Sequence, residues 1–179
     1  YNTAAKMYDR MMENSLKLSE QGMFISAESM INYRTHQKLG EIHKLIGQMG
    51  ARRHEVHPMY ASNFAAALPV LSLDDMRSAI HGLLDVRDQE MWMLFGTLPF
   101  YACNGGDEDR RLISRLYKEP NVTVRNDPDG RNRVNVNMFT GNVYVTDFAD
   151  IPEFGNIKNE RLDDIFADWT SNHPLNQTV

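Results

Sequence analysis

Apolar residues recur every three or four positions in four segments of the chain, a spacing that places them on one face of a helix. The predicted helices cover residues 2–21, residues 39–49, a segment that begins at Ser72, and residues 107–117. Gly22 and Gly50 follow the first two, as is common where helices end. Ser72 and Asp75 form a capping-box pattern at the start of the third. The apolar stripe of the first helix predicts that one of its faces is buried.

Short apolar runs lie between these helices and predict three strands. They are residues 23–28, 54–58 and 91–95. The last run is apolar throughout, which is typical of a strand buried on both faces. Because helices and strands alternate, they form βα units, and the strands are expected to lie parallel in one sheet.

The apolar pattern changes to a period of two after Asn121. Residues 122–124, 134–138 and 143–145 alternate apolar and polar side chains, with turn residues at 127–130 and 140–141. This pattern predicts a three-stranded antiparallel meander. A final helix at 159–169 has one apolar face that can cover it. The change of period near residue 120 divides the chain into two predicted subregions, 1–119 and 120–179.

Composition narrows the possible partners. With 179 residues, the chain can form one ordinary domain or two small ones. A net charge of -5 argues against nucleic acid, which needs clustered Lys and Arg side chains. No apolar run has membrane-spanning length, and the sequence leads us to expect no signal peptide. The single cysteine excludes an intrachain disulfide and suits a reducing, cytoplasmic location. Since the chain begins at Tyr1, we expect it to be a fragment.

Ligands of parallel sheets bind outside the carboxyl ends of the strands. The predicted strand ends carry Ser26 and Glu28 on the first strand, and His57 and Met59 on or after the second. Polar groups in a buried strand need partners, which the amine or hydroxyl groups of a ligand could supply to Ser26 and Glu28. Pairing with other side chains of the protein accounts for these two residues equally well.

No residue pattern predicts a metal site or a catalytic group. His54 and His57 are three apart on a predicted strand, so their side chains point to opposite faces. His36 and His43 are separated by two helical turns, roughly 10 Å along the axis. Cys103 is followed by the acidic residues 107–109, which disfavour the thiolate that a nucleophile needs. We therefore predict neither metal ligands nor catalytic residues.

The order of these elements resembles the second half of the barrel in the radical S-adenosylmethionine superfamily. The similar segments are the strand at 23–28, the polar turn at 32–34, the helix at 39–49 and the strand that ends at Pro58. Residues 140–144, 154–157 and 161–166, with Trp169, resemble the SPASM or twitch extension that follows such barrels. The segment Glu55–Phe64 is similar in particular to the YfkA/YfkB group of bacterial radical proteins.

This resemblance implies a fold and two cofactors. The fold is α/β, with a partial parallel βα barrel in residues 1–119 and a small antiparallel β meander with a covering helix in residues 120–179. The resemblance implies that, in the complete protein, a [4Fe-4S] cluster would reduce S-adenosylmethionine and so release a radical that abstracts hydrogen from a substrate. By position, Ser26 or Glu28 would contact the ribose or methionine part, and the backbone from His57 to Met59 would contact the adenine.

The chain departs from the superfamily in its cysteines. The cluster needs three thiolates, and this sequence has one cysteine. Val145 and Thr146 stand where SPASM extensions usually have a cysteine, so no auxiliary cluster is expected. We expect the chain to shape the cavity without binding either cofactor tightly or cleaving S-adenosylmethionine alone. Its expected partners are the missing N-terminal half of the barrel and a peptide or small-molecule substrate.

Two other functions fit the sequence. The first is a stand-alone domain without catalytic activity that binds a peptide or protein by adding a strand to the edge of the meander. The second, which we rank below both others, is a small acyl-transfer enzyme that uses Cys103.

Overall fold

A computed structural model describes residues 2–60, 66–100, 105–125, 134–146 and 152–172, with the side chains of the helical residues 2 and 3 excepted. The helices are α1 (Asn2–Glu20), α2 (Leu39–Gln48), α3 (Leu73–Val86), α4 (Asp107–Lys118) and α5 (Leu162–Asn172), with a short 3-10 helix at His36–Lys38. The strands are β1 (Ser26–Ile31), β2 (Arg53–Pro58), β3 (Trp92–Gly96), β4 (Val122–Arg125), β5 (Asn135–Val136), β6 (Asn142–Tyr144) and β7 (Gly155–Asn156). These elements fall into two compact units, residues 1–60 with 69–126, and residues 61–68 with 127–179.

The first unit contains a four-stranded parallel sheet in the order β1-β2-β3-β4. Its hydrophobic core lies on one face of this sheet, where Val56, Phe95 and Val124 are register partners on three neighbouring strands. The helices α2, α3 and α4 cover that face with apolar side chains, among them Leu39, Ile80, Leu83, Leu112 and Leu116. The predicted α/β fold with a parallel sheet is therefore confirmed.

Local helix signals are confirmed as well. The Ser72 hydroxyl accepts a hydrogen bond from the backbone N–H of Asp75 at 3.1 Å, so Ser72 caps α3. Gly22 and Gly50 follow α1 and α2 with φ of +86° and +76°, a left-handed conformation that favours glycine.

Residues 122–124 were predicted to begin the meander, and this prediction is wrong. They lie in β4, which pairs in parallel with β3 in the larger sheet. Val122 and Val124 face the helices, whereas Thr123 and Arg125 are exposed on the other face. A parallel edge strand covered on one face alternates apolar and polar residues just as a meander strand does, so period two alone could not separate them.

The predicted buried face of α1 is also wrong for the described residues. Tyr8 is 43% exposed and Met11 46% exposed, and Leu16 is exposed as well. The end of the helix is attached to the sheet unit by a hydrogen bond of 2.7 Å from the Ser19 hydroxyl to the Gly50 carbonyl. Periodicity identifies an apolar helix face, but it contains no information on what covers that face.

The second unit contains a three-stranded antiparallel sheet in the order β5-β6-β7. Val143 on β6 is fully buried, and Ile165 and Trp169 of α5 are buried with it. Gly155 on β7 lies so close to α5 that a Cβ atom there would come within 2.6 Å of Ile165. A small antiparallel sheet with a helix against it is thus present, although β7 replaces β4 as its third strand.

None of the described helices combines the length and the apolar character that crossing a membrane requires.

Candidate functional site

The face of the parallel sheet opposite its core carries mainly polar and aromatic side chains, together with Met30, the buried Leu94 and Gly96. This surface, the open face, consists of Ser26, Glu28, Met30, Arg53, Glu55, His57, Trp92, Leu94, Gly96, Thr123 and Arg125. Parallel register places these residues in rows across the strands, because Cα partners in a sheet project to the same side. One row joins Glu28, Glu55, Leu94 and Thr123 at mid-height. Along β2 the burial alternates strictly, with His54, Val56 and Pro58 buried beneath the helices.

At the amino end of the strands, the polar groups of the open face satisfy one another. The Arg53 guanidinium donates to the Ser26 hydroxyl at 2.9 Å and forms an ion pair with Glu55. It also lies 5.7 Å from the ring centre of Phe24 and 5.4 Å from that of Trp92. A guanidinium with aromatic rings and a carboxylate around it needs no further partner. The charge of Arg53 at this end of the open face is therefore balanced within the protein.

At the carboxyl end, the side chain of His57 lies across the neighbouring strand. A Cβ atom on Gly96 would be 2.3 Å from Cε1 of the His57 ring, so only glycine leaves room for this position. Nε2 of the same ring lies 3.7 Å from Oε2 of the Glu55 carboxylate. Because residue 96 is glycine, the imidazole has room to lie over β3.

Hydrogen bonds join the ends of three strands. The Tyr60 hydroxyl donates to the carbonyl of Thr97, and the N–H of Thr97 donates to the carbonyl of Arg125 at 2.8 Å. Thr97 has a φ of +55°, which is unusual for a β-branched residue and marks a strained turn directly after β3. The backbone at the carboxyl end of the open face is thus held in a defined arrangement.

The structure changes the position of one predicted site residue, Ser26. The first strand was expected at 23–28, but β1 runs from Ser26 to Ile31. Ser26 therefore begins the strand and lies at the amino end of the sheet, where its hydroxyl contacts Arg53 and, at 3.2 Å, Glu55. Of the two explanations open from the sequence, pairing within the protein accounts for Ser26.

Glu28, His57 and Met59 lie nearer to the expected position. Glu28 is exposed at mid-height on the open face, and its side chain has no hydrogen bond or ion pair with the parts of the chain that are described. His57 is on the same face, and Met59 follows β2, where its N–H donates to the Ile31 carbonyl at 3.0 Å. These three residues and Ser26 stay predictions as ligand contacts.

Sequence reasoning missed the other polar members of the open face, above all Arg53, Glu55 and Arg125. The signal was present on β2, where Arg53, Glu55 and His57 alternate with the buried residues. Arg125 could not be found in this way, since its strand was assigned to the meander.

On the covered face of the sheet, a chain of hydrogen bonds joins Ser29 to His54 and His43. Its direction argues against Ser29 as a catalytic nucleophile. Ser29 Oγ lies 2.6 Å from Nε2 of His54, and Nδ1 of His54 lies 3.0 Å from Nδ1 of His43. The backbone N–H of Asp88 donates to Nε2 of His43 at 2.9 Å. Burial lowers the pKa of both imidazoles, so both rings are neutral at pH 7.

The backbone N–H of Asp88 determines which nitrogen of each imidazole carries the proton. Since Nε2 of His43 accepts, its proton is on Nδ1 and is donated to Nδ1 of His54. The proton of His54 is then on Nε2, and it is donated to the Ser29 hydroxyl. A general base must accept the serine proton, so this Ser-His-His arrangement does not activate Ser29 as a nucleophile.

Two grooves lie between helices on the outer surface of the first unit. The larger, about 800 Å³, is lined by the solvent face of α4, where Arg110 and Arg111 pair with Asp107 and Glu108. The smaller, about 530 Å³, lies between α2 and α3. In the larger groove, Arg110 and Arg111 pair with acidic residues one turn earlier on α4, which is common on a solvated helix face, and Arg115 pairs with Asp85 of α3.

Comparison with known proteins identifies a family. Residues 59–179 match the YfkB-like domain family. The chain is also 52% identical over 170 residues to a Bacillus subtilis (strain 168) protein described as "Putative protein YfkA". The match covers 94% of this chain and 46% of the relative, so the chain spans about half the length of that protein. No solved structure matches the chain.

Proposed function

The chain belongs to the YfkB-like domain family, and we propose that it forms one wall of a cavity that binds S-adenosylmethionine and a substrate in a longer radical enzyme. The proposal extends the resemblance of the elements and motifs to radical S-adenosylmethionine proteins. The similarity to YfkA confirms the YfkA/YfkB part of that resemblance. The radical chemistry is the proposed part.

The observation that supports the proposal best is the open face. Parallel sheets occur almost only where both faces are covered, yet the described helices of the core pack on one face. The other face keeps partly exposed Glu55 and His57 and exposed Glu28, in a chain that spans about half of its relative. A cavity shared with another part of a longer polypeptide accounts for a polar face at this position.

The edge of the sheet offers a place for that other part. β1 lies at one end of the strand order and pairs on one side, with β2. No described strand pairs with its other edge, so a further strand can add there. In this proposal, the N-terminal half of the barrel continues the sheet from β1, and it is the main partner of the chain.

The two implied cofactors fit these residues differently. Within the described parts of the chain, no group of three or more His, Cys, Asp or Glu side chains is placed to hold a metal, and Cys103 lies outside them. A [4Fe-4S] cluster takes three or four cysteine thiolates and the sequence has one cysteine, so the cluster does not fit this chain. The Glu28 carboxylate can accept hydrogen bonds from an amine or from ribose hydroxyls, so S-adenosylmethionine fits the open face.

The alternative, peptide binding by strand addition to the small sheet, has less support. The outer strands β5 and β7 have two residues each. Strand addition takes its affinity from main-chain hydrogen bonds, and such short edges provide few of them.

The test uses the complete polypeptide in which this sequence occurs, reconstituted anaerobically. Calorimetric titration with S-adenosylmethionine compares the wild type with Glu28→Gln and with the control Glu41→Gln, an exposed carboxylate on α2. We expect Glu28→Gln to weaken affinity by about tenfold or more, because it removes charged hydrogen bonds. Lack of binding by the wild type, or equal affinity in all three proteins, would overturn the proposal.

A further inference from the structure

We propose that Arg125 and His57 bind an anionic oxygen group of the substrate, a carboxylate or a phosphate, at the carboxyl end of the open face. The inference rests on the proposed function, since it assumes that this face lines a cavity. It adds the chemical class of the substrate, which the proposed cavity binds together with S-adenosylmethionine.

The register brings the two side chains to the same end of the same face. Arg125 is the last residue of β4, and its Cα partner is Gly96 on β3. The ring of His57 lies over Gly96, so it extends from β2 toward β4. Two strand spacings separate β2 from β4, roughly 10 Å, which an arginine side chain and an imidazole can bridge through one small anion.

Hydrogen bonds hold the backbone of Arg125 in place. The Arg125 carbonyl accepts from the N–H of Thr97, whose own carbonyl accepts from the Tyr60 hydroxyl. Thr97 follows Gly96 with its unusual positive φ. Strained residues held by several hydrogen bonds occur preferentially at binding sites. Hydrogen bonds among the ends of β2, β3 and β4 therefore fix the backbone position of Arg125.

The charges at the two ends of the open face differ in their partners. Arg53 is engaged by Ser26, Glu55 and two aromatic rings. Arg125 has no ion pair with the described residues and is exposed. A guanidinium presents a planar fork of donors that matches carboxylate and phosphate oxygens. Arg125 is thus the basic group of this face that is available to a ligand.

The experiment measures anion binding by the complete polypeptide. Inorganic phosphate is followed by the broadening of its phosphorus NMR signal, and glutarate by saturation-transfer difference NMR. We compare the wild type with Arg125→Gln and with the matched control Arg52→Gln. Arg52 is also exposed and lacks an ion pair with the described residues, but it precedes β2 at the opposite end of the sheet.

We expect saturable binding of at least one probe by the wild type and by Arg52→Gln, and at least fivefold weaker binding by Arg125→Gln. Gly96→Ala should weaken binding as well, because the added methyl group displaces His57. Circular dichroism confirms that each variant is folded. The probe that binds more tightly identifies the substrate group. Absence of binding, or equal losses in the two arginine variants, would refute the inference.

The same proteins separate this inference from the proposed function. If S-adenosylmethionine binds in a Glu28-dependent manner while neither anion depends on Arg125, only the anion site is refuted. If anions bind through Arg125 and S-adenosylmethionine does not bind, the proposed cofactor is wrong and the anion site stands.

Discussion

Acidification is expected to destabilise the protein through His54. The side chain is fully buried, and burial, together with the nearby His43, lowers its pKa from 6.5 to about 3. In the hydrogen-bond chain from Asp88 to Ser29, each ring nitrogen of the two histidines already has a partner. A further proton on either ring would face another donor, so protonation must break the chain.

Proton linkage gives the direction and the size of the effect. Because the folded pKa of His54 is below the unfolded value, the unfolded state binds more protons between pH 6.5 and 3. The free energy of unfolding therefore falls as the pH is lowered through this window. From pH 8 to pH 5 the loss from His54 is about 2 kcal/mol, and it approaches about 1.4 kcal/mol per further pH unit. Burial lowers the pKa of His43 too, which adds loss in the same direction.

Urea unfolding followed by circular dichroism at pH 8, 6.5 and 5 measures this loss. The proteins are the wild type, His54→Gln, and the control His57→Gln, which carries the same substitution on the opposite face of the same strand. We expect His54→Gln to be less stable at pH 8 but to lose about 2 kcal/mol less than the wild type on acidification to pH 5. The control should lose as much as the wild type. The same pH dependence in all three proteins would refute the assignment to His54.

Three further substitutions test separate contacts. Gly96→Ala should shift the ring resonances of His57 in NMR spectra, since the Cβ atom cannot share the space of the imidazole; unchanged resonances would contradict the close approach. Ser72→Ala should lower the free energy of urea unfolding by about 1 kcal/mol, because the Asp75 N–H loses its cap; a value near zero would argue against the cap. Phe95→Ala, in the fully buried centre of the sheet, should cost about 3–5 kcal/mol in the same assay; less than 1 kcal/mol would place it outside the core.

Periodicity predicted those elements whose burial repeats along the sequence. Helices α2 to α4 and strands β2 and β3 are close to their predicted positions, because each has one apolar face or is apolar throughout. The errors concern pairing. β4 has the alternation of an edge strand, and whether an edge strand pairs in parallel or antiparallel fashion depends on contacts distant in sequence. The start of β1 was shifted because Met23 and Phe24, although apolar, precede the strand and are exposed.

The same limit applies to the candidate site. Sequence reasoning selected Glu28 and His57 from their place near strand ends, and both lie on the open face. It could not find that His57 crosses to Gly96, or that Arg125 is in the same sheet. Both facts depend on which strands are neighbours. The direction of the Ser29–His54–His43 chain depends in addition on one backbone N–H, at Asp88, 45 residues from His43.

Some charged side chains of the open face are paired within the protein and others are not, and this difference bears on function. If another part of a longer polypeptide covers this face, Glu28 and Arg125 leave bulk water without a partner among the described residues. An unpaired charge in a dry interior costs several kcal/mol, far more than a single contact returns. Either the space above them is a water-filled cavity or a ligand brings the opposite charges. Arg53 at the amino end and Glu55 at mid-height show the other solution, since they pair with each other. The protein thus neutralises the end of the sheet away from the expected ligand and leaves charges available at mid-height and at the carboxyl end, where ligands of parallel sheets bind.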